Sequence, residues 1–160
     1  MAVSALKKLL GLLLLLNMVL PVQACFGPKL YLGVPNSREG MLLAELVALY
    51  VKEKTGVDSV LVTLDGSDPV GEIRQEKLDL AVSVQPDSRL PDLLGLEGVP
   101  ALLSGVRPYD DIQFTTVVPA LRKLASLLDA ETFAGLVDDV ASGEPPKARV
   151  RRLLMERAWI

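Results

Sequence analysis

The segment between residues 29 and 84 alternates between strand-like and helix-like patterns, and this alternation limits the possible folds more than any other feature of the sequence. Residues 29–34, 59–64 and 78–84 are short apolar runs of β type. The stretch between the first two runs repeats apolar residues at helical spacing, namely Leu42, Leu43, Leu46, Val47 and Tyr50. Apolar strands that alternate with helices predict a mainly parallel sheet covered on both faces. We therefore expect a three-layer α/β fold in which the second and third strands flank the first.

The rest of the chain predicts shorter elements and a helical tail. Asp68 and Pro69 are suited to open a short helix that runs to Ile73. Residues 85–111 are rich in proline and glycine and read as a loop, with single helical turns at 93–96 and 101–103. Residues 112–118 predict a fourth strand that ends at Pro119. Apolar residues at helical spacing then predict three C-terminal helices, the second capped by Asp129 and the third opened by Pro145 and Pro146.

Residues 1–24 have the layout of a secretory signal. Lys7 and Lys8 precede an apolar core, and Ala24 lies at the expected cleavage site. A membrane anchor is the weaker interpretation, because the apolar run is shorter than the roughly 20 residues that span a bilayer. Cys25, the only cysteine, follows directly, as in a bacterial lipobox, although Gln23 departs from that pattern. Two outcomes stay open, lipidation of Cys25 or ordinary cleavage after Ala24, and both predict an exported protein of the periplasm or cell envelope.

The remaining residues, 25–160, are enough for one compact domain. Loss of the two lysines of the signal takes the formal charge from −3 to −5. An acidic chain without a basic patch is a poor candidate for binding nucleic acid. The chain has no histidine, and its one cysteine is the candidate processing site. Thiol–imidazole catalysis, serine–histidine catalysis and most zinc sites are therefore excluded, so we expect neither an enzyme nor a metal or cofactor.

Ligand sites in parallel α/β sheets lie beyond the carboxyl ends of the strands, and three loops are expected there. Asn36 and Ser37 precede the first helix, whose free N–H groups attract anions, but the same residues could simply cap the helix. Asp65 and Ser67 follow the second strand in a stretch that also reads as a turn. Gln85 follows the third strand and is the candidate in the third loop.

Two segments of the chain resemble the substrate-binding proteins of glycine betaine, choline and other quaternary-amine ABC importers. Residues 30–84 carry the first part of the resemblance and residues 109–160 the second. The matching stretches are Tyr31-Leu-Gly-Val34, Lys54-Thr-Gly56, Leu78-Asp-Leu80, Val117-Val-Pro119, Leu121-Arg-Lys-Leu124, Leu128-Asp-Ala-Glu-Thr132 and Leu153-Leu-Met-Glu156. The order of these segments, rather than any single motif, carries the similarity.

The resemblance implies a single lobe of the type II periplasmic-binding-protein fold. Members of that family have two lobes joined by crossing strands, whereas here about 25 residues, 85–109, stand in place of the second lobe. Such proteins hold a quaternary ammonium between aromatic faces. Tyr50, Phe114 and Phe133 are better explained as core, which leaves Tyr109 as the one aromatic residue in a loop near the expected site.

The function expected from this resemblance is that of an envelope binding component with weak or lost capture of quaternary amines. Its partner would be an ABC permease or a second binding protein. The alternative is an envelope protein outside transport that uses the lobe as a structural or interaction domain.

Overall fold

The computed structural model describes residues 27–85 and 87–160 as an α/β domain. Four strands, six helices and one short 3₁₀ turn follow one another along these residues. In order they are β1 (Lys29–Val34), α1 (Arg38–Thr55), β2 (Asp58–Thr63), α2 (Pro69–Arg74), β3 (Leu80–Ser83), β4 (Ala101–Ser104), α3 (Arg107–Asp110), the 3₁₀ turn (Ile112–Phe114), α4 (Val117–Leu127), α5 (Ala130–Ala141) and α6 (Pro146–Glu156). The signal segment and Cys25 lie outside the described residues.

The sheet has the strand order β2-β1-β3-β4. β1 pairs in parallel with both β2 and β3, which confirms the prediction that the second and third strands flank the first. β4 runs antiparallel to β3, with Ser104 opposite Leu80 and Ala101 opposite Ser83. The sheet is thus mainly parallel but mixed.

α1 is the central helix of one face of the sheet. It begins where the Ser37 hydroxyl accepts a hydrogen bond from the Gly40 N–H at 3.1 Å, and it ends at Gly56 with φ of 77°, a left-handed conformation that glycine adopts without strain. α4, α5 and α6 pack against α1. Tyr50, Phe114 and Phe133 are at most 2% exposed in this layer, which confirms their assignment to the core.

The opposite face of the sheet has a smaller cover. A second apolar cluster joins α2 to residues of β3 and β4, and its central members are Val70, Ile73, Ala81 and Leu103. α2 is capped as predicted, because the Asp68 carboxylate accepts from the N–H groups of Val70 and Gly71. Helices therefore lie on both faces, as the alternation of elements predicted.

Three local predictions are wrong. Residues 101–103 form strand β4 rather than a helical turn, since a buried run of four residues pairs equally well with a neighbouring strand. Residues 93–96 form no helical turn, because Leu93 donates its N–H to the Leu102 carbonyl and the chain runs along the edge of β4. Residues 112–118 form the 3₁₀ turn and the start of α4 rather than a strand. Pro119 lies in the first turn of α4, where a backbone N–H would have no acceptor within the helix, so proline breaks no hydrogen bond there.

Within residues 27–85 and 87–160, no helix is long and apolar enough to cross a bilayer.

Candidate functional site

The parallel strands define two edges of the sheet with different loops. β1, β2 and β3 all point toward one edge, which we call the carboxyl edge, and begin at the other, the amino edge. The loops that contain Asn36, Ser37, Asp65, Ser67 and Gln85 follow these strands directly. The structure therefore brings five of the six predicted ligand-binding residues to the carboxyl edge.

Tyr109 lies at the opposite edge. Because β4 is antiparallel to β3, the chain leaves β4 at the amino edge, where Tyr109 lies in α3 rather than in a loop. Its side chain is 41% exposed. The prediction that Tyr109 lies near the other candidates is wrong, since the direction of β4 separates them.

Most of the polar residues of the carboxyl edge cap a helix or form a turn in the adjacent backbone. Ser37 caps α1, so its hydroxyl is already occupied. Asp65 has φ of 37° in a tight turn that the Ser67 N–H closes onto the Leu64 carbonyl. Asn36 and Gln85 are exposed. Local structure, rather than ligand capture, explains Ser37, Asp65 and Ser67.

An ion pair stabilises the loop after β3. Arg89 donates from Nε to both carboxylate oxygens of Asp87, at 2.9 and 3.0 Å. These hydrogen bonds, with one from the Arg89 backbone N–H, lower the pKa of the Asp87 carboxyl to about 2. Arg89 Nη2 also lies 3.9 Å from Asp68 in the loop after β2. A cation thus links two carboxylates at this edge.

A groove of about 500 Å³ opens at the carboxyl edge, between the first turn of α1, α5 and the turn before β4. We call it the acidic groove, because Glu39, Asp92 and Glu97 line it and, among the described residues, no lysine or arginine does. Its other lining residues are apolar or glycine: Val84, Leu96, Gly98, Val99, Pro100, Ala101 and Phe133. The groove offers a negative potential over an apolar surface, an arrangement suited to a small organic cation.

The three acids of the groove are not equally available. Asp92 Oδ1 accepts from the N–H groups of Leu94 and Leu102, each at 3.0 Å, and so holds residues 92–94 against β4. Glu39 and Glu97 are exposed and make no side-chain hydrogen bond within the described residues. Among the described residues, Phe133 is the only aromatic residue of the groove, and it is 2% exposed. These residues therefore supply charge for a cation but no aromatic cage.

The amino edge contains a buried carboxylate that sequence reasoning missed. Asp79 is 4% exposed, and its Oδ2 accepts the Tyr31 N–H at 2.7 Å. Arg107 Nη1 donates to both oxygens of Asp79, at 3.1 and 3.2 Å, while its guanidinium lies 4.6 Å from the centre of the Phe114 ring. The sequence feature that indicates this site is an aspartate within an apolar strand. A carboxylate buried in this way needs hydrogen-bond partners. Asp79 joins β1 to α3 and has a structural role.

Scans of this chain against protein-family models, curated proteins and solved structures return no match. The resemblance to quaternary-amine binding proteins therefore stays a prediction from the residues.

Proposed function

We propose that the protein is an exported binding module related to the substrate-binding proteins of quaternary-amine importers, not an enzyme, and that it captures its ligand weakly or not at all when alone. The observation that supports this most is the way in which the chain leaves and re-enters the sheet. Ser83 at the end of β3 lies opposite Ala101 at the start of β4, so residues 84–100 begin and end side by side at the carboxyl edge.

That arrangement is compatible with a lobe that has lost its partner lobe. A second lobe inserted between two crossing segments requires an exit and a return that are adjacent in the sheet. β3 and β4 supply such a pair, with only 17 residues, 84–100, between them. The type II periplasmic-binding-protein fold is thus our proposal for the finer class of this α/β domain.

The acidic groove is the proposed ligand site. Glu39 and Glu97 would attract a quaternary ammonium, and Val84 and Val99 would contact its methyl groups. Millimolar binding corresponds to about 4 kcal/mol, and micromolar binding to about 8 kcal/mol. Exposed ion pairs contribute about 0.2–1 kcal/mol each. Phe133 is 2% exposed, so it adds no exposed cation–π contact. These contributions fall short of offsetting the loss of ligand freedom, so the dissociation constant is roughly millimolar or weaker.

Titration of the domain with glycine betaine, choline, carnitine and proline betaine tests the proposal. Calorimetry gives the affinity, and backbone amide NMR shifts give the location. We expect shifts at Glu39, Val84 and Glu97 with a dissociation constant of roughly millimolar or weaker. Submicromolar affinity in a monomeric sample would show that the site is more complete than the groove suggests.

A matched pair of variants tests the location. Glu39→Gln with Glu97→Gln removes two charges from the groove, whereas Glu131→Gln with Asp138→Asn removes two exposed charges outside it. The first pair should abolish the shifts and the second should preserve them. Equal losses in both would mean that only net charge attracts the ligand.

A different set of side chains favours the second candidate function, an interaction domain outside transport. Val106, Tyr109 and Ile112 are 71%, 41% and 84% exposed within a span of seven residues at the amino edge. Exposed apolar groups in one short segment are typical of protein interaction surfaces. The absence of any shift at the acidic groove with all four amines would refute that groove as the ligand site and leave the interaction domain as the better supported candidate. The proposed partner under the first function is an ABC permease or a second binding protein.

A further inference from the structure

A second groove, of about 560 Å³, lies at the amino edge and has the opposite charge. We call it the basic groove. It is formed by the last turns of α1, one face of α4 and the residues after α6. Its lining residues are Tyr50, Lys54, Thr55, Thr116, Ala120, Lys123, Leu127, Arg157, Ala158 and Trp159, and none of them is acidic.

Within the part of the chain that the structure describes, the three cations of the basic groove form no ion pair with a carboxylate. Lys54 lies with Nζ 6.0 Å from the centre of the Tyr50 ring. Within the described residues, Lys123 and Arg157 make no ion pair or side-chain hydrogen bond. Lys54 lies in the last turn of α1, where a cation interacts favourably with the helix dipole. Lys123 lies in the middle of α4, so the helix dipole does not explain its charge.

Arg157 has one acidic neighbourhood to consider. It also lines an adjoining depression together with Asp129, Glu131 and Asp139. Asp129 accepts the Thr132 N–H at 2.7 Å as the cap of α5; that bond is the main cause of its lowered pKa, and the charge of Arg157 adds to it. Asp139 is paired with Arg149 at 2.6 Å. Asp129 and Asp139 thus have closer partners, and within the described residues no carboxylate, Glu131 included, lies at ion-pair distance from the Arg157 guanidinium, which acts on Asp129 only through its charge.

The floor of the basic groove is apolar yet carries two polar atoms without a partner. Tyr50 is 1% exposed and Trp159 is 8% exposed. Within the described residues neither the Tyr50 hydroxyl nor the Trp159 indole N–H makes a hydrogen bond. Among the described residues, the polar side-chain atoms that are sealed from solvent and lack a hydrogen bond are Ser59 Oγ and Arg149 Nη1. The Tyr50 hydroxyl and the Trp159 indole N–H are not among them, so solvent reaches both groups. A buried phenol and indole that end in an open groove are suited to donate to a ligand.

We propose that the basic groove binds an amphiphilic anion, a carboxylate or phosphate head on an apolar chain. The cations from α1, α4 and the C-terminal segment would surround the head, and Tyr50 and Trp159 would donate hydrogen bonds to it. Ala120 and Leu127, on one face of α4, would contact the apolar chain. A quaternary amine is repelled here, so this site is independent of the acidic groove.

Trp159 is the only tryptophan of the chain, so its fluorescence reports on this groove directly. Decanoate supplies both the head and the chain, inorganic phosphate supplies a head alone, and decyltrimethylammonium has the same chain with the opposite charge. We expect saturable changes in Trp159 emission with decanoate, much weaker binding of phosphate, and no saturable response to the ammonium. A response to decyltrimethylammonium equal to that of decanoate would overturn the proposal, because it would show hydrophobic adsorption.

Two triple variants with the same net charge complete the test. Lys54→Gln, Lys123→Gln and Arg157→Gln remove the groove cations, whereas Arg38→Gln, Arg122→Gln and Lys147→Gln remove exposed cations outside the groove. Three exposed ion pairs together account for about tenfold in affinity. We expect about tenfold weaker decanoate binding in the first variant and a change below about twofold in the second. Equal weakening in both, or none in the first, would refute the site.

Tyr50→Phe removes only the hydroxyl, so it tests the hydrogen bond to the anionic head while the three cations stay in place. It should weaken decanoate binding by a few-fold, since one hydrogen bond contributes about 0.5–1.5 kcal/mol. Unchanged affinity in Tyr50→Phe would contradict the placement of the anionic head at the floor of the groove.

Discussion

The two ends of α1 lie at grooves of opposite charge. Glu39 in its first turn lines the acidic groove, and Lys54 in its last turn lines the basic groove. Fifteen residues separate them, which is about 22 Å along the helix axis. α1 therefore separates a groove lined by carboxylates from a groove lined by cations.

The edges also differ in how their polar groups are held. At the carboxyl edge the short side-chain bonds are mostly local: Ser37 caps its own helix three residues on, and Asp87 pairs with Arg89 two residues on, while Asp92 reaches Leu102 only ten residues away. At the amino edge Asp79 bonds to Tyr31 and Arg107, which are 48 and 28 residues away. Local bonds let a loop change without affecting the rest of the fold, whereas long-range bonds connect distant segments. We therefore expect the carboxyl edge to tolerate substitution and the amino edge to resist it.

The largest effect should come from Asp79→Ala. This change leaves the Tyr31 N–H without its acceptor and Arg107 without its partner, and breaking a buried pair costs about 3–5 kcal/mol. The Arg107 side chain is 43% exposed, so we expect the lower end, roughly 3 kcal/mol lost from the free energy of unfolding. Denaturant unfolding measures this loss.

Asp110→Ala is the matched control for Asp79→Ala. Asp110 is exposed on α3 and makes no side-chain hydrogen bond within the described residues, so the change should stay within about 0.5 kcal/mol. A similar, small loss in both variants would mean that Asp79 does not tie the amino edge together.

Ser37→Ala tests the local bonds of the carboxyl edge and should have a smaller effect. It removes the cap of α1, which typically costs about 1 kcal/mol. Asn36→Ala, one residue earlier and exposed, should cost less than about 0.5 kcal/mol by the same measurement. The reverse order of costs would assign the cap, and with it the start of α1, to Asn36.

The sequence was sufficient to predict β1, α1, β2, α2 and β3, because local signals determine them. Apolar spacing specified α1, Gly56 its end and Asp68 the start of α2. β4 and the start of α4 were not predictable in the same way, since apolar runs of four to seven residues suit strand or helix and tertiary pairing decides between them. Phe114 illustrates this, because it lies in a predicted strand yet fills the helical layer from a 3₁₀ turn.

The candidate site was less predictable than the fold. The loops of Asn36, Asp65 and Gln85 could be placed at one edge because the parallel order of three strands was predicted correctly. The edge at which Tyr109 lies could not be predicted, because it depends on the direction of β4. The acidic groove combines Glu39 with Asp92 and Glu97, more than 50 residues away, and only the folded chain brings these acids together.

The smallest expected effect concerns the acid titration of the carboxyl edge. The pKa of Asp87 is about 2 in the folded protein, against an ordinary value of 3.8, chiefly because Arg89 donates hydrogen bonds to its carboxylate. A carboxyl whose pKa is lower in the folded state stabilises the fold above its unfolded pKa, and that contribution is lost as the pH falls through the folded value. The loss should therefore occur between about pH 4 and pH 2, and it should be small because the pair is exposed and screened by salt.

Side-chain NMR titration of Asp87 should give a midpoint of about 2, and Arg89→Gln should raise this midpoint toward 3.8. Arg74→Gln is the control, because Arg74 acts on Asp87 only through its charge and should move the midpoint less. If Arg74→Gln raised it as much as Arg89→Gln, charge across the loops rather than the local hydrogen bonds would hold Asp87, and the contrast between local and long-range edges would fail at this loop.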